Sequence, residues 1–195
     1  MGLDSYLERM PRYRGTKAKK IWEIEQYLGY QEEIKDPNSN AKNYSLKEWC
    51  GVREDNISPK ALEFYKKFYT VKYYYWDDEH KYGRKRISEQ IGYWRKANAI
   101  HRFFVDKVQD GIDDCEFHRE VTEEDLEELI NTCHEVLDNP NLAEELLPTQ
   151  SGFFFGETSY DEYYFDDLKY TIEICENALK TTDFDTQAIY YISSW

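Results

Sequence analysis

Ile91, Trp94, Ala97, His101, Phe104, Val105 and Val108 recur mostly at steps of three and four residues, the period of one helix face. The spacing predicts a largely buried helix over residues 89–108, with Trp94 and Phe104 in its stripe and Asp110-Gly111 closing it. Ile21, Ile24 and Leu28 predict a second amphipathic helix over residues 17–34, before the turn cluster Asp36-Pro37-Asn38-Ser39-Asn40. Helix-start chemistry marks four more. Ser45 with Glu48 fits a capping box with Gly51 as the stop, and Ser58-Pro59 opens a helix to about residue 68. Thr122 with Asp125 opens an acidic helix to about Asp138, halted by Asn139-Pro140. Ser159 with Glu162 caps a last long helix to about Lys180.

Strand signals are shorter. Residues 70–76 (TVKYYYW) are β-branched and aromatic and predict a strand, followed by a turn over residues 77–83. Residues 1–7 alternate loosely, as an edge strand does. Residues 115–121 predict a short strand and residues 188–195 a terminal one. Together these elements predict an α+β protein, mostly helical, with a small antiparallel sheet to which both termini are candidates. A length of 195 residues suits one compact domain over residues 1–195, with a more basic part (1–85) and an acidic helical part (86–195).

Charge sharpens that division. Residues 1–104 carry 21 Lys and Arg against 15 Asp and Glu, while residues 105–195 carry 4 against 24. A half with a balance of −20 is repelled by nucleic acid and by anionic lipid, so neither is an expected partner. It is attracted to a basic protein surface. The 18 Tyr, 10 Phe and 5 Trp supply core area, and Tyr and Trp are also enriched at interfaces. Cys50, Cys115, Cys133 and Cys175 form no CxxC pair and read as free thiols of a reducing cytoplasm. No apolar run approaches the roughly 18–20 residues that span a bilayer.

Three constellations carry candidate chemistry. On the helix predicted over residues 89–108, Trp94, Asn98 and His101 share a face, with Arg95 at its edge. One reading is a pocket in which Trp94 stacks a flat ligand, Arg95 grips an anion in fork geometry, and Asn98 and His101 supply hydrogen bonds. The other places Trp94 in the core and pairs the polar groups internally. The segment Gly152-Phe153-Phe154-Phe155-Gly156 is read as a core plug in preference to an exposed loop, because three exposed Phe would invite aggregation. Asp113, Asp114, Cys115 and His118, with Cys133-His134, have only partial zinc spacing. Asp161, Glu162, Asp166 and Asp167 read as a solvated face before a Mg²⁺ site. No metal and no cofactor are therefore expected. No GxSxG, HExxH, GxxxxGK[ST] or GxGxxG occurs, so a non-enzymatic role is expected over catalysis.

The segments Met1-Gly2-Leu3-Asp4, Ile91-Gly92-Tyr93-Trp94-Arg95-Lys96-Ala97-Asn98-Ala99-Ile100-His101, Leu146-Leu147-Pro148-Thr149 through the triple-Phe stretch to Tyr160-Asp161-Glu162-Tyr163-Tyr164, and the closing Tyr190-Tyr191-Ile192-Ser193-Ser194-Trp195 resemble an uncharacterised family of small bacteriophage and prophage proteins. The resemblance covers most of residues 85–195. It implies phage origin and little about mechanism.

The leading expectation is a phage-encoded binding protein of the host cytoplasm that inhibits a host factor, a defence component among the candidates. It would present an acidic, aromatic surface to a basic protein partner. Glu124, Glu127 and Glu128 would form its charged face, and Tyr160, Tyr163 and Tyr164 its anchors. The first alternative is a small-ligand protein with a nucleotide-like ligand at Trp94, Arg95, Asn98 and His101. The second is a metal-dependent enzyme of unrecognised type.

Overall fold

The computed structural model describes residues 2–75 and 81–195, and the turn expected over residues 77–83 lies mostly outside them. Within the described residues the chain is α+β. In order it forms β1 (Asp4–Pro11), α1 (Ala18–Glu33), α2 (Leu46–Cys50), α3 (Pro59–Tyr65), β2 (Thr70–Tyr75) and β3 (Lys81–Arg86). There follow β4 (Glu89–Arg95), α4 (Asn98–Val108), β5 (Glu120–Val121), α5 (Glu123–Asp138), α6 (Ala143–Leu146), α7 (Glu162–Thr181) and β6 (Gln187–Ser194). These elements group into two units, one of residues 10–89 and one of residues 1–9 with 90–195.

The unit of residues 10–89 carries 17 basic against 13 acidic residues. Its helix α1 buries Ile21, Ile24 and Leu28, the stripe read from their spacing. The Ser45–Glu48 capping box closes both ways, and Gly51 ends α2 at φ 77°, the left-handed conformation that glycine tolerates. Ser58 caps α3, which stops at Tyr65, short of the expected residue 68. Strands β2 and β3 pair antiparallel from Thr70 opposite Arg86 to Tyr75 opposite Lys81, so Gly83 lies in a strand and not in a turn.

The second unit carries 8 basic against 26 acidic residues. Its sheet has the order β4-β1-β6-β5, which sets the first strand beside the last, and β5 runs antiparallel to β6. The strand expected over residues 115–121 is reduced to Glu120 and Val121. Helices α5 and α7 pack against each other, with Leu126, Leu129, Cys133 and Val136 meeting a stripe that includes Leu168, Cys175 and Ala178. The Thr122–Asp125 box caps α5 as expected. The cap of α7 is different. Asp161, not Ser159 with Glu162, accepts the amides of Tyr163 and Tyr164 (3.1 and 3.2 Å), and Ser159 donates to Asp161 (3.0 Å).

The helix expected over residues 89–108 is corrected most. Residues 89–95 are strand β4, and only Asn98–Val108 is helical. In β4 burial follows a period of two: Gly92 and Trp94 are buried, Ile91 and Tyr93 are half-buried, and Arg95 is exposed. Gly92 fits because α7 lies against it, and a Cβ there would come within 2.7 Å of Ile174 Cγ2. Lys96, at φ 62°, then breaks the strand before α4 begins.

Candidate functional site

The β4–α4 junction forms one side of a cleft of about 360 Å³. Arg95 and Lys96 line it, followed by Ala97, Asn98, Ala99 and Ile100 of the first turn of α4. Ala97 gives that helix no side-chain cap. The other lining comes from Thr149, Gly156, Glu157 and Ser159, and from the start of α7 with Asp161, Tyr163, Tyr164, Asp166 and Asp167. Gly156, at φ 95°, lies against Lys96, where a Cβ would come within 3.1 Å of the lysine Cβ. Only glycine lets the loop run this close to the junction.

Asn98 holds the loop in place. Its Nδ2 donates to the carbonyls of Phe155 (3.2 Å) and Glu157 (2.9 Å), and its Oδ1 accepts the Gln150 amide (3.0 Å). Every polar atom of this buried side chain is thus used on backbone, as burial requires. Asn98 positions the wall of the cleft. Phe155 is buried beneath the loop, whereas Phe153 and Phe154 are 82% and 52% exposed and touch each other. The core-plug reading therefore holds for one phenylalanine of three.

The carboxylates of the cleft differ in how they are used. Asp161 is held below the ordinary carboxylate range, first by the Tyr164 amide and further by Ser159 and the Tyr163 amide. Asp166 pairs with Lys169 (2.8 Å). Asp167 makes no side-chain hydrogen bond or ion pair among the described residues, and burial with the nearby charges of Asp166 and Asp161 pushes it up to about 6. Tyr164 spends its hydroxyl on the Leu147 carbonyl (2.9 Å), and Tyr160 packs edge-on against it. Tyr163 is 81% exposed at the rim.

Two expected pocket residues lie elsewhere. Trp94 is 2% exposed, packs on Phe104, and donates from Nε1 to Thr171 Oγ1 (2.9 Å), so it is core and stacks no ligand. His101 is fully buried. Its Nδ1 lies 2.7 Å from the Tyr191 hydroxyl, itself 3.1 Å from Ser5 Oγ. Its Nε2 lies 3.1 Å from Asp113 Oδ1, outside good hydrogen-bond alignment. Burial lowers the histidine pKa while Asp113 opposes that shift. A single helix over residues 89–108 would put Trp94, Asn98 and His101 on one face. With Trp94 on a strand and His101 a turn deeper in α4, only Arg95 and Asn98 of that set reach the cleft.

On α5, Glu124, Glu127 and Glu128 are exposed, and Glu128 pairs with Lys107. Of the partial zinc set, His118 contacts Asp114 (2.9 Å), Cys133 is buried with its thiol pushed up to about 12, and Cys115 and His134 are exposed. Among the described residues no three His, Cys, Asp or Glu side chains are placed to hold a metal ion, and no helix is long and apolar enough to cross a membrane.

Lys96 and Gly156 have no ligand role in the sequence reading, which puts Asp167 on a solvated face, whereas all three line the cleft and Asp167 is half-buried. Asp167 had a usable signal, since it stands three residues after Tyr164 and one before Leu168, at the edge of the buried stripe of α7. Lys96 and Gly156 had none, because their proximity depends on the loop path. The chain matches no protein-family model, no curated protein and no solved structure.

Proposed function

We propose that this protein binds a small molecule through an anionic group in the cleft at the β4–α4 junction. One observation carries the reading. In a unit of 26 acidic and 8 basic residues, the side chains of Arg95 and Lys96 make no hydrogen bond or ion pair with the described residues, and both line the cleft. Two adjacent cations repel each other, and an anion between them relieves that repulsion. Arg95 offers a planar fork for a carboxylate or phosphate, and the first turn of α4, which has no side-chain cap, adds the amides of Ala99 and Ile100. The volume falls near the lower end of small-ligand pockets, about 300–1,000 Å³. Tyr163 at the rim suits a flat ligand part. Of the four residues expected to form a small-ligand pocket, Arg95 and Asn98 keep a role in this reading, Asn98 as the strut of the wall.

An amide NMR titration with inorganic phosphate tests this, because it registers millimolar binding. Shifts at Ala99 and Ile100 that saturate, and that the double variant Arg95→Ala/Lys96→Ala weakens at least tenfold, are the expected result. No shift at these amides removes the reading.

A second reading keeps the phage-encoded inhibitor of a host factor in the host cytoplasm, working through acidic contact with a basic protein. It is favoured by exposed Glu124 and Glu127 on α5 and by the exposed pair Phe153 and Phe154 in the same acidic unit. A partner captured from host lysate should bind at least tenfold more slowly, and with flatter salt dependence, after Glu124, Glu127 and Glu128 are changed to Lys. An unchanged on-rate leaves the acidic face as a solubility device.

A further inference from the structure

The cleft is lined by charges of both signs that do not touch. Arg95 and Lys96 come from the β4–α4 junction, and Glu157, Asp161, Asp166 and Asp167 from the opposing loop and α7. No basic nitrogen of the first set lies within 4.0 Å of an acidic oxygen of the second. Arg95, Lys96, Glu157 and Asp166 are exposed and Asp161 and Asp167 half-buried, and side chains of opposite charge within reach would close on each other, so the spacing leaves a gap between them. The needs of the two sides differ. Among the described residues Arg95 and Lys96 have no anionic partner. Asp161 is consumed by the α7 cap and Asp166 by Lys169; of the two carboxylates left, Glu157 is exposed to solvent and Asp167 is partly buried with acceptor capacity to spare.

From this geometry we infer that the ligand is a small zwitterion, with its acidic group at Arg95 and Lys96 and an ammonium group at Asp167. The inference rests on the cleft being a ligand site, as proposed above. A bare anion leaves Asp167 without a donor. A polyphosphate would carry further negative charge toward Asp161, Asp166 and Asp167 and be repelled. An amine alone leaves both cations unanswered. An ammonium near Asp167 also relieves the mutual repulsion of the three aspartates, which a neutral hydroxyl relieves far less. The volume, about 360 Å³, admits a small molecule and not a polymer segment.

Matched probes decide it by calorimetry and amide NMR at pH 7.5. O-phosphoethanolamine and ethyl phosphate are close in size and differ by the ammonium group, and glycerol 3-phosphate replaces that group with hydroxyls. O-phosphoethanolamine is expected to bind at least tenfold more tightly than either. Asp167→Ala should abolish the advantage of O-phosphoethanolamine over ethyl phosphate, and ethyl phosphate itself should bind no more weakly to the variant, since a repelling carboxylate is removed. This variant removes a carboxylate with no partner among the described residues, so no hydrogen bond or ion pair of the fold is lost with it. Equal affinities for the three, or tighter binding of glycerol 3-phosphate, overturn the zwitterion inference and leave the anion site standing. Absence of binding by all three, with no shift at Ala99 or Ile100, removes the anion site itself.

Discussion

Replacing Asn98 should damage the protein in an order that intuition about similarity reverses. Asn98→Asp keeps size and shape, while Asn98→Ala removes most of the side chain. In the structure Nδ2 faces the Phe155 and Glu157 carbonyls and Oδ1 faces the Gln150 amide. Each buried hydrogen bond contributes about 1 kcal/mol net, and each buried group left unpaired costs about 1–3 kcal/mol. Alanine loses three bonds but opens space for water at the part-buried end, so a loss of about 3 kcal/mol is expected. Aspartate keeps the Gln150 contact, yet sets a carboxylate oxygen against two carbonyl oxygens with no donor between them. The buried charge meets like partial charges and must either protonate or push the loop away, at a cost above that of alanine. Urea unfolding at pH 7 gives the ranking, and hydrogen exchange at the Gln150 amide reports on the loop itself. If Asn98→Asp is as stable as wild type, or the Gln150 amide exchanges equally in all three proteins, Asn98 does not hold this wall and the assignment of its amide fails.

Trp94→Ala should cost roughly 3–5 kcal/mol in urea unfolding, because it empties a fully enclosed site beside Phe104; a loss under 1 kcal/mol would show Trp94 to be peripheral. Gly92→Ala should cost about 1–3 kcal/mol, since the new methyl meets Ile174 Cγ2, and a neutral result would mean that α7 does not seat on β4 as described. Asp167→Asn should stabilise the protein at pH 7 by about 1 kcal/mol after allowance for solvent screening, and by nothing measurable at pH 4. The sign follows from the raised pKa. The folded state holds a proton on Asp167 up to about pH 6 and the unfolded state only to about pH 4, so ionisation weakens the fold as pH rises through that window. Equal urea midpoints for the two proteins at pH 7 would refute it.

The helices α1, α5 and α7 and the caps at Ser45, Ser58 and Thr122 were legible because their information is local. Buried positions repeat every three or four residues, and a cap is a side chain reaching an amide two or three residues on. Even there Asp161 displaced Ser159, since both offer an oxygen near the same amides and the path of the entering chain selects between them. Residues 89–95 could not be resolved in this way. Ile91, Trp94 and Ala97 fit a helical period, but the sheet beside β1 and the closeness of α7 at Gly92 impose a period of two, and both are contacts from distant sequence. The same dependence divides the site. Residue type marked Arg95 and Asn98 as ligand-like, and the sequence determined how steeply charge is distributed between the two halves of the chain. Only the tertiary structure decided that Trp94 and His101 are enclosed, that Asn98 spends its amide on the loop, and that Lys96, Gly156 and Asp167 share one cleft with Arg95. Burial and unpaired charge are properties of neighbours brought together by folding, and no spacing along the chain encodes them.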